Sequence, residues 1–289
     1  MKSFQVEKHS SSIDTPDGFP VRYDLYAPKN VRSLNPILFL HGFKGFKDWG
    51  QFPSFCRDLS AAGFAVLAFN FSHNGTGEDL TELNRMDLFR RQTLSQNLDE
   101  VGFIIDAIDR GKIGIDGCRI NVSNTGIIGH SRGGTTAVCA AAEYREIGAL
   151  VTWSAVEDVS RFWSDELIHQ WKTDGVAYIQ NARTGESMPL DEIVYRDSVE
   201  QADRISAHKR ITEVYVPSLF VHGSGDEAVP FSHSRRLRER CKAEEKEFLL
   251  IDGAGHTFGL VHPPDSTEYP GHFQQVADAT ITWFNQNLK

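Results

Sequence analysis

Residues 127–134 read Ile-Ile-Gly-His-Ser-Arg-Gly-Gly, with a Gly-x-Ser-x-Gly pentapeptide running from Gly129 to Gly133. The pentapeptide closes an apolar run. It is followed by Thr-Thr-Ala-Val-Cys-Ala-Ala-Ala-Glu-Tyr, which is good helix sequence. Strand, sharp turn and helix form the setting in which such a serine becomes a nucleophile, held at a strained elbow with its hydroxyl exposed. Glycines on either side let strand and helix approach closely. The same turn aims the backbone N–H of Arg132 at the place where an oxyanion would form.

A nucleophilic Ser131 needs a base and an orienting acid. The stretch Pro217-Ser-Leu-Phe-Val-His-Gly-Ser-Gly-Asp226-Glu-Ala-Val-Pro230 is an apolar strand running into glycines, with a carboxylate just past its end. Parallel sheets carry their sites beyond the carboxyl ends of strands, which favours Asp226 over its neighbour Glu227. Lys246-Glu-Phe-Leu-Leu-Ile-Asp-Gly-Ala-Gly-His256 repeats the design and offers His256 as the base. His262 and His272 also follow Asp226, but in a Pro-rich stretch and near the start of the last helix, where surface roles are expected. Pro36-Ile-Leu-Phe-Leu-His41-Gly42-Phe43-Lys44-Gly45 is another buried strand ending in a glycine turn. The N–H of Phe43 in that loop is the candidate second oxyanion donor.

The chain has 289 residues, enough for one large domain or two smaller ones, and an ordinary soluble balance of 40% hydrophobic and 24% charged residues. Its net charge of −9 argues against nucleic acid or an anionic membrane as partner. Cys56, Cys118, Cys139 and Cys241 are scattered without metal-ligand or disulfide spacing, which fits a reducing, cytoplasmic setting. The first residues lack an apolar signal core, and no run approaches a membrane span. Neither a metal nor a cofactor is expected; the expected partner is a small-molecule substrate.

Residues 4–13 and 19–26 alternate around Thr15-Pro-Asp-Gly18, a hairpin signature. Buried-strand runs follow at 36–40, 64–71, 125–129, 148–153, 217–221 and 247–251. Helical stretches at 51–62, 92–109, 131–145, 231–241 and 272–287 alternate with them. Leu94, Leu98, Val101, Ile104, Ile105 and Ile108 illustrate the helical spacing. The alternation predicts an α/β fold, a mostly parallel central sheet with helices on both faces. About sixty residues between the strands ending near Ala155 and starting near Pro217 break the pattern, far beyond an ordinary loop. The reading is therefore a core of residues 1–156 and 213–289 with an inserted lid at 157–212. The insertion brings Trp163, Trp171 and a hairpin bearing Tyr178, aromatic candidates for substrate binding above the serine.

Taken together, His-Gly-Phe-Lys-Gly, Gly-His-Ser-Arg-Gly-Gly, His-Gly-Ser-Gly-Asp and Gly-Ala-Gly-His resemble the α/β-hydrolase superfamily over nearly the whole chain. The lid with Asn-Ala-Arg-Thr-Gly, placed before the acid strand, is similar to bacterial cinnamoyl (feruloyl) esterases and related carboxylesterases. The resemblance implies Ser131, Asp226 and His256 as a triad, Phe43 and Arg132 as oxyanion donors, and a lid that shapes the acyl pocket. The expected activity is hydrolysis of short-chain or hydroxycinnamoyl esters through an acyl-enzyme. A serine peptidase of the same fold and a non-catalytic binding protein on this scaffold are the alternatives. The cation of Arg132, next to the nucleophile, is left between pairing with a lid acid and meeting an anionic substrate.

Overall fold

The structure is a computed structural model that describes residues 4–181 and 185–288. Twelve strands are described: β1 (Val6–Asp14), β2 (Pro20–Pro28), β3 (Ser33–Leu34), β4 (Pro36–Leu40), β5 (Ala65–Asn70), β6 (Arg119–Ile120), β7 (Thr125–His130), β8 (Ile147–Trp153), β9 (Val176–Gln180), β10 (Ser187–Asp191), β11 (Ser218–Gly223) and β12 (Lys246–Ile251). Eight of them form one sheet in the order β1-β2-β5-β4-β7-β8-β11-β12. The hairpin β1–β2 pairs antiparallel within itself and onto β5, and every later pairing in this sheet is parallel.

The helices are α1 (Phe52–Ala61), α2 (Met86–Phe89), α3 (Leu94–Asp109), α4 (Arg132–Glu143), α5 (Asp165–Asp174), α6 (Glu192–Glu200), α7 (Ala202–Ile205), α8 (Ala207–Arg210), α9 (Ser232–Arg240) and α10 (Gly271–Asn287). Strand alternation decides which helix covers which face. Leu38 and Leu40 of β4 point into a cluster with Leu98, Val101 and Ile104 of α3 and with Ala137 and Val138 of α4. Ile37 and Phe39 of the same strand point the other way, into Phe52, Phe55 and Leu59 of α1 and Phe273 and Phe284 of α10. Both faces are thus covered, which is why the central strands read as continuous apolar runs.

The 157–212 stretch holds α5 to α8 and the antiparallel hairpin β9–β10. Trp171, Ala177, Met188, Leu190 and Val194 of this stretch form a small apolar cluster together with Phe89 of α2. The last part of the stretch is different, because Ile205, Ala207 and Ile211 are buried in the same cluster as α3 and α4. Within the Asn-Ala-Arg-Thr-Gly segment, residues 182–184 lie outside the described residues. Among the described residues no helix is long and apolar enough to cross a membrane.

Candidate active site

Ser131 sits between β7 and α4 at φ 56° and ψ −120°, a conformation that costs a non-glycine residue about 1–3 kcal/mol. The turn is held from three sides. The Ser131 N–H donates to the Trp153 carbonyl at 2.8 Å, and its own carbonyl accepts from Gly134 N at 2.9 Å and Thr135 N at 3.3 Å. At Gly133 a Cβ would lie 2.5 Å from the carbonyl oxygens of Leu40 and His41, so only glycine lets α4 start this close to β4.

Asp226 and His256 come from the loops after β11 and β12. These loops are packed against each other: a Cβ on Gly223 would lie 2.1 Å from the Ala254 carbonyl oxygen. His256 Nδ1 is 2.8 Å from Asp226 Oδ2, and Nε2 is 3.0 Å from Ser131 Oγ. A carboxylate only accepts, so Nδ1 carries the proton and Nε2 is left to accept from the serine hydroxyl.

The Asp226 carboxylate is fully used. Oδ1 accepts from Ala228 N at 3.0 Å and Val229 N at 2.8 Å. Oδ2 also faces Nε2 of His222, a fully buried histidine at the end of β11, at 3.1 Å. That nitrogen lies 2.8 Å from the Val229 carbonyl oxygen, so both its neighbours are acceptors and it carries the proton; Nδ1 then accepts from Ser234. Burial alone would raise the Asp226 carboxyl. The donors from His222, His256 and Val229 overcome this and hold it well below the usual carboxylate range.

Two further histidines shape the site. His130 Nε2 donates to the His256 carbonyl at 3.0 Å, and burial pushes its pKa down to about 3, so it stays neutral. His41 is likewise lowered to about 4 by burial; its Nδ1–H holds the Gly42 carbonyl at 2.8 Å. In a trans peptide C=O and N–H point opposite ways, so this bond turns the Phe43 N–H away from His41. Among the described residues, neither the Phe43 nor the Arg132 amide serves a backbone hydrogen bond of the surrounding turns.

A cavity of about 420 Å³ opens over Ser131 and His256. Phe43, Leu94, Val156, Phe162, Trp163 and Val194 contribute to its walls. Of the aromatic residues expected there from sequence, Trp163 lines the cavity and the other two do not. Trp171 is buried inside the small cluster that the 157–212 stretch shares with Phe89, stacked on Tyr195 at 5.2–5.3 Å from its aromatic neighbours, with its indole N–H on the Leu190 carbonyl. Tyr178 points to solvent from β9 and is 54% exposed. The rivals to the site residues are engaged elsewhere or exposed. Glu227 is exposed, and His262 accepts from Gly50 N and packs against Trp49. Sequence reading missed His222; its signal was a histidine four residues before the acid, at the end of the same strand.

A mostly parallel sheet with an elbow at the end of a central strand defines the alpha/beta hydrolase fold, the family model for which matches residues 35–175. The chain belongs to the prolyl oligopeptidase family, whose model matches residues 106–289. It is 24% identical over 249 residues to "Putative esterase YitV" of Bacillus subtilis, an alignment covering 84% of this chain and 90% of that one. Ferulic acid-bound Est1E from Butyrivibrio proteoclasticus superposes with a TM-score of 0.71 at 23% identity, covering 96% of this chain and 98% of the other. Paleococcus ferrophilus monoacylglycerol lipase gives 0.63 at 17% identity, covering 97% and 99%. At these identities the structural likenesses establish the fold.

Proposed function

We propose that the protein is a serine esterase acting on small carboxylic esters through an acyl-enzyme. The observation that carries the reading is the unbroken Asp226–His256–Ser131 hydrogen-bond chain at the floor of an apolar cavity. In this mechanism His256 takes the Ser131 proton as Oγ attacks the ester carbonyl carbon, and Asp226 stabilises the imidazolium without being protonated. The amides of Phe43 and Arg132 stabilise the tetrahedral oxyanion, each worth roughly 3–4 kcal/mol in comparable sites. His256 then protonates the leaving alkoxide, and a water activated by the same imidazole hydrolyses the acyl-enzyme. The 157–212 stretch acts as the lid, with Trp163 and Phe162 bounding the acyl group.

The esterase names of YitV and Est1E support an ester as substrate, and the ferulic acid bound to Est1E supports a small or aromatic acyl group. The prolyl oligopeptidase match favours a second reading, cleavage of a peptide amide at the same serine. Specificity constants for a short alkyl ester, a ferulate ester, a long-chain ester and an aminoacyl amide decide between them. The expected order puts the first two ahead. An amide in first place would replace the esterase by a peptidase, and a long-chain ester in first place by a lipase.

A further inference from the structure

The elbow brings one more group into the cavity. The Arg132 side chain lines it beside Ser131 and is only 7% exposed. Its guanidinium lies over the Phe43 ring, 4.8 Å from the centroid, and Phe43 stacks in turn on Phe89. Nη2 donates to the Gln92 carbonyl at 3.0 Å, the single hydrogen bond of this side chain among the described residues. Nε is buried with no acceptor among the described residues. Burial draws the pKa down to about 10, against the opposing pull of Asp197, so the group remains a cation at neutral pH.

Asp197, from α6, lines the same cavity but is committed elsewhere. Its Oδ2 accepts from Leu94 N at 2.9 Å and Ser95 N at 3.2 Å, and its Oδ1 from the Ser95 hydroxyl. It caps the amino end of α3 and makes no hydrogen bond to Arg132. Beyond Ser131 and His256, the remaining wall is apolar apart from Lys44 near the hairpin β9–β10 and Ser198, whose hydroxyl accepts from the Trp163 indole and donates to the Tyr195 carbonyl. A buried, charged donor without an acceptor is costly, and an alkyl occupant would leave it so. Nε is sealed off, but Nη1 is not, and it makes no hydrogen bond among the described residues, so an occupant with an acceptor oxygen there would give the charge a partner.

We propose that Arg132 is a specificity-determining residue, and that the cavity takes acyl groups that are largely apolar but carry an acceptor oxygen within reach of its guanidinium. The inference rests on the esterase reading above. It also gives the guanidinium a task separate from its backbone N–H, which serves the oxyanion.

The test uses ethyl esters of matched chain length ending in methyl, methyl ketone or carboxylate, assayed on the full chain. The unaltered protein is expected to favour an oxygen-ended ester over the methyl-ended one by about tenfold or more in kcat/KM. A lead for the carboxylate assigns the oxygen as anionic; a lead for the ketone assigns it as neutral, with Asp197 repelling charge. In Arg132→Met the ratio should fall to about one. Because the readout is a ratio within one protein, any loss of catalysis common to both esters cancels. Equal or better turnover of the methyl-ended ester by the unaltered protein overturns the inference, and so does a ratio unchanged in Arg132→Met. If the variant does not fold, the comparison on the unaltered protein still decides. Turnover without discrimination removes this inference alone. Absence of turnover on every ester removes the esterase reading and the inference with it.

Discussion

Ser131 is fixed through its backbone, so deleting its hydroxyl leaves the turn's hydrogen bonds in place. Ser131→Ala should lose on the order of 10⁴–10⁶ in ester turnover with little change in melting temperature. Labelling by a fluorophosphonate, read beside a thermal melt, checks both parts; near-normal turnover would end the serine mechanism. Asp226 and Glu227 make a sharper comparison. Every neighbour of the Asp226 oxygens is a donor, so an amide there must set its NH₂ against one of them. Asp226→Asn should cost about 10⁴ in turnover, whereas Glu227→Gln, exposed, should leave it almost unchanged. Equal mild losses would move the acid elsewhere. Asp226, the proposed acid, could be singled out from sequence because a strand end followed by glycines marks the edge of a parallel sheet where sites form. The second histidine on that acid could not. A buried histidine at a strand end reads as packing until the loop is seen to fold back over it.

At the scale of elements, the 157–212 stretch was visible as an interruption too long for a loop, but its interior was not. Its helices are short and mixed in polarity, so the 3.6-residue period is weak, and Trp171 and Tyr178 carry no mark of which way they face. Position alone suggested that they overlook the serine. The structure buries Trp171 instead in the small cluster that this stretch shares with Phe89 of α2. Trp171→Ala removes that ring and the bond to Leu190, a change that costs about 3–5 kcal/mol in well-packed sites. The expected result is proteolytic cleavage within 157–200 at temperatures where the sheet is still folded. Cleavage appearing only at global unfolding would mean that the cluster is not an independent unit. Its base is anchored separately. The fully buried Glu157 accepts from Arg236 of α9 at 2.9 Å and pairs with Arg161 and His208.

For the molecule as a whole, the alternation of buried strands and amphipathic helices made the layers legible. Strand order was not legible, because parallel neighbours are joined by crossovers rather than by turns. The face of the sheet covered by α3 and α4 also hides an acid. Glu100 is 4% exposed and accepts from the Ser72 amide and hydroxyl, and burial raises its pKa from 4.5 to about 7. Since the folded-state value lies above the unfolded one, the folded chain holds the extra proton. Its contribution is full below about pH 4.5 and is lost as pH rises through about 7. The melting temperature of Glu100→Gln relative to the parent should therefore climb between about pH 5 and 8, by the equivalent of ~3 kcal/mol at most. A gap that stays flat over that range would show that the carboxyl titrates normally. The position of the site in the sheet has a further consequence, one of time. Ser131 follows the central strand β7, whereas the acid and base proposed for it, Asp226 and His256, arrive after β11 and β12, the last two strands of the sheet, and β12 is its edge. Serine and histidine are 125 residues apart. At ordinary elongation rates a growing chain carries the elbow for roughly ten seconds before its histidine is made. On the proposed mechanism the nascent protein holds a serine with no base throughout that interval, and hydrolysis begins only when the far edge of the sheet closes.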